Sequence, residues 1–173
     1  MKKLWIILLA TLVLSGCSKK DVLETVTDVQ DTPAAVVAQR IQLYLPQELS
    51  APVLQNEESG ALYLCEDYAV STQVLESGDL NKTIRSVTGM EKDSLQIIET
   101  KKQDSACYQW VWATGGENGI QLGRGCVLDD GVYHYVLTAQ ANEEAAGKIQ
   151  DTWNEIFTSF SLATEREEIS TGS

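Results

Sequence analysis

The sequence has little of what hydrolytic or metal-dependent chemistry requires. Its 173 residues include one histidine, His134, and no Gly-x-Ser-x-Gly or Cys-x-x-Cys motif. A catalytic base works with a nucleophile and an orienting acid, and zinc sites use closely spaced cysteine and histidine ligands. We predict that His134 is a partly exposed strand residue that could meet Asp129 or Asp130. We therefore expect no catalytic residue, no metal site, no cofactor and no enzyme activity.

Basic residues are also scarce. Lys and Arg number 13 against 25 Asp and Glu, which gives a formal net charge of -12. Recognition of nucleic acid and of anionic lipid headgroups depends on basic side chains. The composition therefore argues against nucleic acid as a partner and against a domain surface that binds anionic lipid. We expect the acidic surface mainly to keep the protein soluble.

The apolar run near the N-terminus is too short to span a bilayer comfortably. Residues 4–14 would rise about 16 Å as a helix, whereas a hydrocarbon core is about 30 Å thick. Lys2 and Lys3 precede this run, and small residues follow it. A positive segment, a short apolar segment and small residues are typical of a secretory signal. We predict that residues 1–16 are a signal peptide.

The stretch Leu14-Ser15-Gly16-Cys17 closely resembles the lipobox of bacterial lipoproteins. This resemblance implies transfer of diacylglycerol to the Cys17 sulfur, cleavage before Cys17 and often acylation of the new amino group. Each buried CH₂ of an acyl chain contributes about 0.8 kcal/mol to membrane binding. One chain therefore binds a membrane only marginally, whereas two or three chains anchor a protein firmly. We expect a protein that is lipid-anchored through Cys17 at the extracytoplasmic face of the cell membrane, with that membrane as its partner.

The rest of the chain divides into a tether, a domain and a tail. Residues 17–38 are predicted to be the lipidated cysteine and a flexible polar tether of roughly 25 Å reach. Residues 39–162 are long enough for a single globular domain with a real core. Residues 163–173 are polar without periodic apolar positions, and we expect a disordered tail.

Seven segments of the domain alternate or are rich in strand-forming residues. A polar loop is expected at residues 47–60. The predicted strands are residues 40–45, 61–65, 68–75, 94–100, 106–114, 120–128 and 132–141.

Two segments have the apolar spacing of helices. In the first, Asp79 is a suitable N-cap and Gly89 a left-handed stop. In the second, Asn142 caps a long final helix whose apolar stripe includes Trp153 and Phe157. We expect this final helix to cover one face of the sheet.

The two longest predicted hairpins fix which residues share a face. Asp130-Gly131 favours a two-residue turn, which would place Leu128 opposite Tyr133 and Cys126 opposite Tyr135. For the preceding hairpin we predict that Cys107 lies opposite Cys126. On the other face, Trp110 would lie over Gly123 and Tyr108 over Gly125, because aromatic rings fill the space that glycines leave open.

The cysteines leave several alternatives open. Of the four, Cys17 is assigned to lipid, and an exported chain meets conditions in which disulfides persist. A Cys107–Cys126 disulfide, a bridge involving Cys65 and three reduced thiols all remain open. We expect no redox-active thiol, because no helix N-terminus or basic cluster is present to lower a thiol pKa.

The order of the predicted elements resembles a known fold. A strand, a pair of strands, a short helix, four antiparallel strands and a final helix are similar to the PsbP/Mog1-like α/β/α sandwich, and residues 133–141 with residues 153–162 carry most of the resemblance. It implies an α+β fold in which an antiparallel sheet of about six to seven strands is flanked by helices. A cystatin-like or other two-layer α+β fold is the alternative. Members of the fold include photosystem accessory subunits and bacterial lipoproteins of unknown role, and none of their functional residues matches this chain.

Three functions are compatible with these observations. The first is a non-enzymatic accessory or ligand- or partner-binding module held at the membrane. The second is a structural subunit of an envelope complex that makes contact through an exposed aromatic patch of Tyr108, Trp110 and Trp112, although we expect at least one of these tryptophans to be buried. The third is a hydrolase-type enzyme whose site the sequence order conceals.

Overall fold

The structure is a computed structural model that describes residues 36–56, 59–116 and 119–163. All of them belong to one compact unit, Ala35–Ser173. The predicted signal peptide, the lipobox, residues 17–35 of the predicted lipidated tether and all but the first residue of the predicted tail lie outside the described residues.

The domain contains strands and helices that are numbered here in chain order. The strands are β1 Ile41–Gln42, β2 Leu54–Asn56, β3 Gly60–Leu64, β4 Tyr68–Glu76, β5 Ile98–Lys102, β6 Ser105–Gly116, β7 Gly119–Asp129, β8 Tyr133–Asn142 and β9 Ser161–Leu162. The helices are α1 Leu80–Thr88, α2 Glu143–Lys148 and α3 Gln150–Ser159, with short 3-10 turns at Gln47–Leu49 and Lys92–Ser94.

Seven strands form one antiparallel sheet in the order β2-β3-β4-β8-β7-β6-β5. Side chains of α2 and α3 pack with those of one sheet face, called the α3 face, around Tyr135, Leu137 and Ile156. Side chains of α1 pack with those of the other face, called the α1 face, around Ile84 and Val136. The fold is therefore α+β, with an antiparallel sheet between helices, as predicted.

The helix caps also agree with the sequence. The Asp79 carboxylate accepts a hydrogen bond from the Asn81 amide, and α1 ends at Gly89 with a positive φ of 73°. The Asn142 side chain accepts one from the Ala145 amide at 2.7 Å. The prediction of a single final helix is wrong in one respect. Ile149 leaves helical geometry, at φ -104° and ψ 14°, and divides the helical segment into α2 and α3.

The β7–β8 register differs from the prediction by two residues. Leu128 lies opposite Tyr135, not Tyr133. The turn centre is Gly131-Val132, since the Asp130 amide donates to the Tyr133 carbonyl and Gly131 takes a φ of 90°. The Asp130 carboxylate accepts the amide hydrogens of Val132 and Tyr133, which holds Asp130 before the turn and not within it. A shift of two leaves every side chain on the predicted face.

The β6–β7 register is shifted by two as well. Cys107 lies opposite Leu128, and Trp110 lies opposite Gly125. Aromatic rings do cover both cross-strand glycines, but the predicted partners are wrong: Trp112 and not Trp110 lies over Gly123, and Tyr108 lies opposite Val127 and not over Gly125. A Cβ atom added to Gly125 would lie 2.3 Å from the Trp110 ring. These glycines therefore allow the rings to lie flat on the sheet.

Three short elements fall where the sequence predicted something else. The strand expected at residues 40–45 is reduced to β1, which pairs with β9 in a separate two-stranded sheet. The expected loop at 47–60 contains β2 at the edge of the main sheet. The strand expected at 94–100 begins only at Ile98, after the 3-10 turn Lys92–Ser94.

Candidate functional site

A groove runs between the N-terminal segment of the domain and the sheet. The segment is residues 36–45, called the strap, and the groove has a volume of about 950 Å³. Besides strap residues, residues of β2, β3 and β4 line it, together with Tyr133 at the start of β8. They are Gln55, Asn56, Gly60, Ala61, Tyr63, Thr72, Val74, Leu75 and Glu76.

The strap is fixed along one side by packing and by strand pairing. Alternate residues Ile41, Leu43 and Leu45 are half-buried against the core of the α3 face. Ile41 pairs with Leu162 of β9, and the Arg40 carbonyl accepts a 2.8 Å hydrogen bond from the amide of the residue after β9. The alternation that predicted a strand thus produces an anchored edge of the groove.

The beginning of the strap is held by hydrogen bonds to β8. The Tyr133 hydroxyl donates to the Val36 carbonyl at 2.7 Å, and the Tyr135 hydroxyl accepts from the Gln39 amide at 2.9 Å. Tyr135 is fully buried, and burial raises its pKa to about 12. Its hydroxyl therefore stays protonated at neutral pH and donates to Asp130 at 2.9 Å.

The walls of the groove combine apolar and polar groups. Ala61, Tyr63 and Val74 are half-buried on the sheet side, whereas Arg40 and Glu76 are exposed. Such a surface offers contact area to an apolar segment and hydrogen-bonding groups to its flanks. The groove therefore suits binding, and the residues that line it do not include the nucleophile and base of a hydrolytic site.

His134 is buried, which corrects the expectation of a partly exposed strand residue. Its exposure is 0%. Nδ1 lies 2.7 Å from the Thr83 hydroxyl of α1, and Nε2 lies 3.4 Å from the Ser77 hydroxyl and 3.5 Å from the carboxylate of Asp129. Asp129 is one of the two acids expected near this ring.

This polar cluster does not have the arrangement of a catalytic triad. The Ser77 hydroxyl donates to Asp129 at 2.9 Å, so its proton is directed to the acid and not to His134. His134 lines neither the strap groove nor the shallower groove over β2, β3 and β4 in the part of the chain that the structure describes. We infer that the cluster joins α1 to the sheet.

Within residues 36–56, 59–116 and 119–163, no three His, Cys, Asp or Glu side chains are grouped so that they could hold a metal ion. Over the same ranges, no helix combines the length and the apolar character needed to cross a bilayer.

The predicted aromatic contact patch is not formed. Trp110 and Trp112 are buried, at 3% and 7% exposure, and Tyr108 is half-buried. These side chains pack with Ile84 of α1, so they are part of the core of the α1 face. The physical reason is the pair of glycines on β7, which lets both indole rings lie close enough to the sheet for α1 to cover them.

Cys107 and Cys126 lie together on the α3 face. They occupy a diagonal position across β6 and β7, and their sulfur atoms are 3.6 Å apart as free thiols. The hydrogen bond between the two thiols lowers the pKa of Cys107, whereas the same bond and burial raise the pKa of Cys126. The sequence offered no group that would lower a thiol pKa, and the structure supplies one in the second thiol, with smaller contributions from neighbours that include Lys102.

The fold has relatives among solved structures. LpqN, described as involved in cell envelope biogenesis of Mycobacterium tuberculosis, is 12% identical with a TM-score of 0.52, and the match covers 76% of this chain and 88% of LpqN. This likeness shows a shared fold.

Two weaker matches have TM-scores below 0.5. PsbP (CyanoP) from Synechocystis is 10% identical with a TM-score of 0.46, over 78% of this chain and 99% of PsbP. A protein from Bacteroides thetaiotaomicron is 11% identical with a TM-score of 0.47, over 72% of this chain; the chain spans 46% of that longer protein. No family model matches the chain. No curated protein matches it by sequence.

Proposed function

We propose that this protein is a lipid-anchored, extracytoplasmic, non-enzymatic accessory module that binds a protein partner in the strap groove. The groove is the observation that carries this conclusion, since it offers about 950 Å³ between an anchored strap and the sheet. A lipid anchor would hold such a groove near the membrane surface.

The anchoring part of the proposal is supported by the N-terminal sequence. Two lysines, eleven residues of mainly apolar character and a lipobox-like stretch ending in Cys17 follow one another in the order of a lipoprotein signal. LpqN, with the same fold, is described as acting in envelope biogenesis. A role at the cell envelope is compatible with both observations.

The non-enzymatic part is supported by the surroundings of His134. The histidine of the chain is enclosed in the protein and bonded to Thr83, and the nearest hydroxyl is directed to an acid. A base in this position has no path to a substrate, so neither a hydrolase nor another enzyme with a histidine base is favoured. The structural-subunit alternative loses its proposed aromatic contact for the reason given above.

The groove suits an extended segment with apolar side chains. Tyr63 and Val74 provide contact area along the sheet wall, and Val36 and Val37 are 59% and 82% exposed on the strap. Exposed apolar residues beside a concave surface are typical of an interaction site. We therefore assign the partner to the class of proteins with an exposed, apolar, extended segment.

Site-specific photocrosslinking tests this assignment. Replacing Tyr63 with a benzophenone amino acid places the probe in the groove, and the same probe at Ile98, which is 66% exposed on the opposite edge strand, is the matched control. In intact cells we expect a defined crosslinked protein from position 63 and none from position 98. The same products from both positions, or none from position 63 in a folded variant, would overturn the groove assignment.

A further inference from the structure

We propose that Cys107 and Cys126 are a redox site that closes reversibly into a disulfide between β6 and β7. This inference does not depend on the groove or on its partner. It rests on the position of the two sulfur atoms, on the unequal surroundings of the two thiols and on the absence of Cys65 from the pair.

The geometry brings the sulfur atoms into contact before any bond forms. They lie 3.6 Å apart, whereas a disulfide bond is about 2.05 Å long. Cys107 faces Leu128 and Cys126 faces Gln109, so the two cysteines are diagonal neighbours whose side chains point towards each other on one face. Closure therefore needs rotation of the side chains and a small approach of the strands.

The two thiols have different roles in thiol–disulfide exchange. Gln109 Nε2 donates to the Cys107 sulfur at 3.8 Å, which favours a thiolate at Cys107, whereas the positive charge of Lys102 favours a thiolate at either cysteine. Either sulfur can donate in the 3.6 Å contact, and with the thiolate at Cys107 the Cys126 thiol donates to it and keeps its own proton. Since the thiolate is the nucleophile in disulfide exchange, Cys107 attacks first and Cys126 resolves.

The exchange balances with a small disulfide as the oxidant. The Cys107 thiolate attacks one sulfur of the small disulfide, which breaks its S–S bond and releases one thiolate that takes up a proton. Cys126 then loses its proton and attacks the Cys107 sulfur of the mixed disulfide, which releases the second thiol. Two cysteine thiols are oxidised, and one disulfide is reduced to two thiols.

Access to the pair requires local opening of the domain. Cys107 and Cys126 are 2% and 3% exposed. Cys107 pairs with Thr100 of β5, which is the edge strand of the sheet and is mostly exposed. We expect a reagent to reach the attacking thiol when this exposed edge strand is displaced. If the domain is exported as proposed, it meets an environment in which the closed form persists.

Cys65 provides an internal comparison. It lies between β3 and β4, is half-buried, and its thiol donates to the Tyr68 carbonyl at 3.4 Å. Among the described residues, the Cys65 thiol has no hydrogen bond to another thiol. We expect Cys65 to remain a thiol when the pair closes.

Intact mass measures closure in the full chain carrying Cys17→Ser. The protein is incubated with oxidised glutathione, unfolded, and alkylated with a maleimide. We expect one maleimide on the oxidised chain and three on the chain reduced beforehand, with a Cys107–Cys126 peptide in the digest. Three maleimides after oxidation, or a bridge that contains Cys65, would overturn the site.

Single variants test the order of attack. In Cys126→Ser we expect a stable glutathione adduct on Cys107, whereas Cys107→Ser should leave Cys126 largely unmodified in the folded state. Equal labelling of the two positions contradicts the assigned order. Cys65→Ser is the control, and we expect its Cys107–Cys126 pair to close at the rate of the parent chain. If a serine variant of the pair does not fold, the mass measurement on the chain that keeps both Cys107 and Cys126 still tests closure.

Discussion

At the scale of single residues, Asp130 connects the strap to the sheet. Its Oδ1 accepts the amides of Val132 and Tyr133 at 2.9 and 2.7 Å, and its Oδ2 accepts Tyr135 and Gln39 at 2.9 and 3.3 Å. Burial by itself would raise the pKa of Asp130, but these hydrogen bonds to the charged form outweigh it and lower the pKa. One carboxylate thus fixes both the hairpin turn and the beginning of the strap.

The lowered pKa predicts how stability depends on pH. Because the folded-state pKa of Asp130 lies below its ordinary value of 3.8, its contribution is complete above that value and is lost as the pH falls through the folded-state pKa. We expect Asp130→Asn to lower the free energy of unfolding at pH 7 by roughly 1–3 kcal/mol, as for a hydrogen-bonded charged group. Urea denaturation between pH 3 and 7 measures this.

A matched variant makes the Asp130 result specific. Asp93→Asn removes an exposed carboxylate from a 3-10 turn, and we expect it to leave the free energy of unfolding nearly unchanged. A loss of stability equal to that of Asp130→Asn would mean that the hydrogen bonds to the hairpin are not the cause. In Asp130→Asn the decline in stability on acidification should be shallower than in the parent.

At the scale of elements, β6 and β7 show how paired strands position the core. Trp110 and Trp112 lie over glycines of β7, and α1 covers the rings. A side chain at either glycine would push an indole away from the sheet. The packing of α1 therefore depends on two positions that have no side chain.

Gly125→Ala tests this dependence. The new Cβ would lie 2.3 Å from the Trp110 ring, and overpacking of this kind costs about 1–3 kcal/mol. We expect a corresponding fall in the free energy of unfolding and a change in tryptophan fluorescence. Gly115→Ala is the control, because its added Cβ meets nothing within 4 Å. Equal stability of the two variants would show that the ring contact has no energetic weight.

The elements also show what the sequence could and could not predict. The caps Asp79 and Asn142 act on amides two or three residues away, so local sequence was sufficient to find them. The predicted register of the β7–β8 hairpin is wrong by two because it depends on which residue closes the turn, and the hydrogen bonds of the Asp130 carboxylate fix that residue. The β6–β7 register also differs by two. Since the error was an even number, the predicted faces remained correct.

At the scale of the molecule, the candidate groove could not be predicted. It exists because Ile41 pairs with Leu162, a contact between opposite ends of the domain, and because Tyr133 and Tyr135 bond to the strap. Alternation in the strap indicated one apolar side, but nothing local indicated what that side would contact. Cys107 and Cys126 were expected on one face, and the structure adds the contact between their sulfur atoms.

The molecule as a whole is an acidic domain that we propose is held at a membrane by lipid on Cys17. The described domain has Val36 at its beginning, bonded through its carbonyl to Tyr133 on the groove. The described chain therefore begins beside the groove. This arrangement connects the anchoring proposal to the binding proposal.

Membrane partition with and without the Cys17 sulfur is the most direct test of this account. Two chains would be compared after alkaline washing of membranes: the parent, and Cys17→Ser exported by an ordinary cleavable signal in place of residues 1–16. We predict that the parent remains in the membrane pellet, with an acylated N-terminal Cys17 peptide by mass, and that the variant is released. A variant retained as firmly as the parent, or an unmodified Cys17 in the parent, would contradict the account.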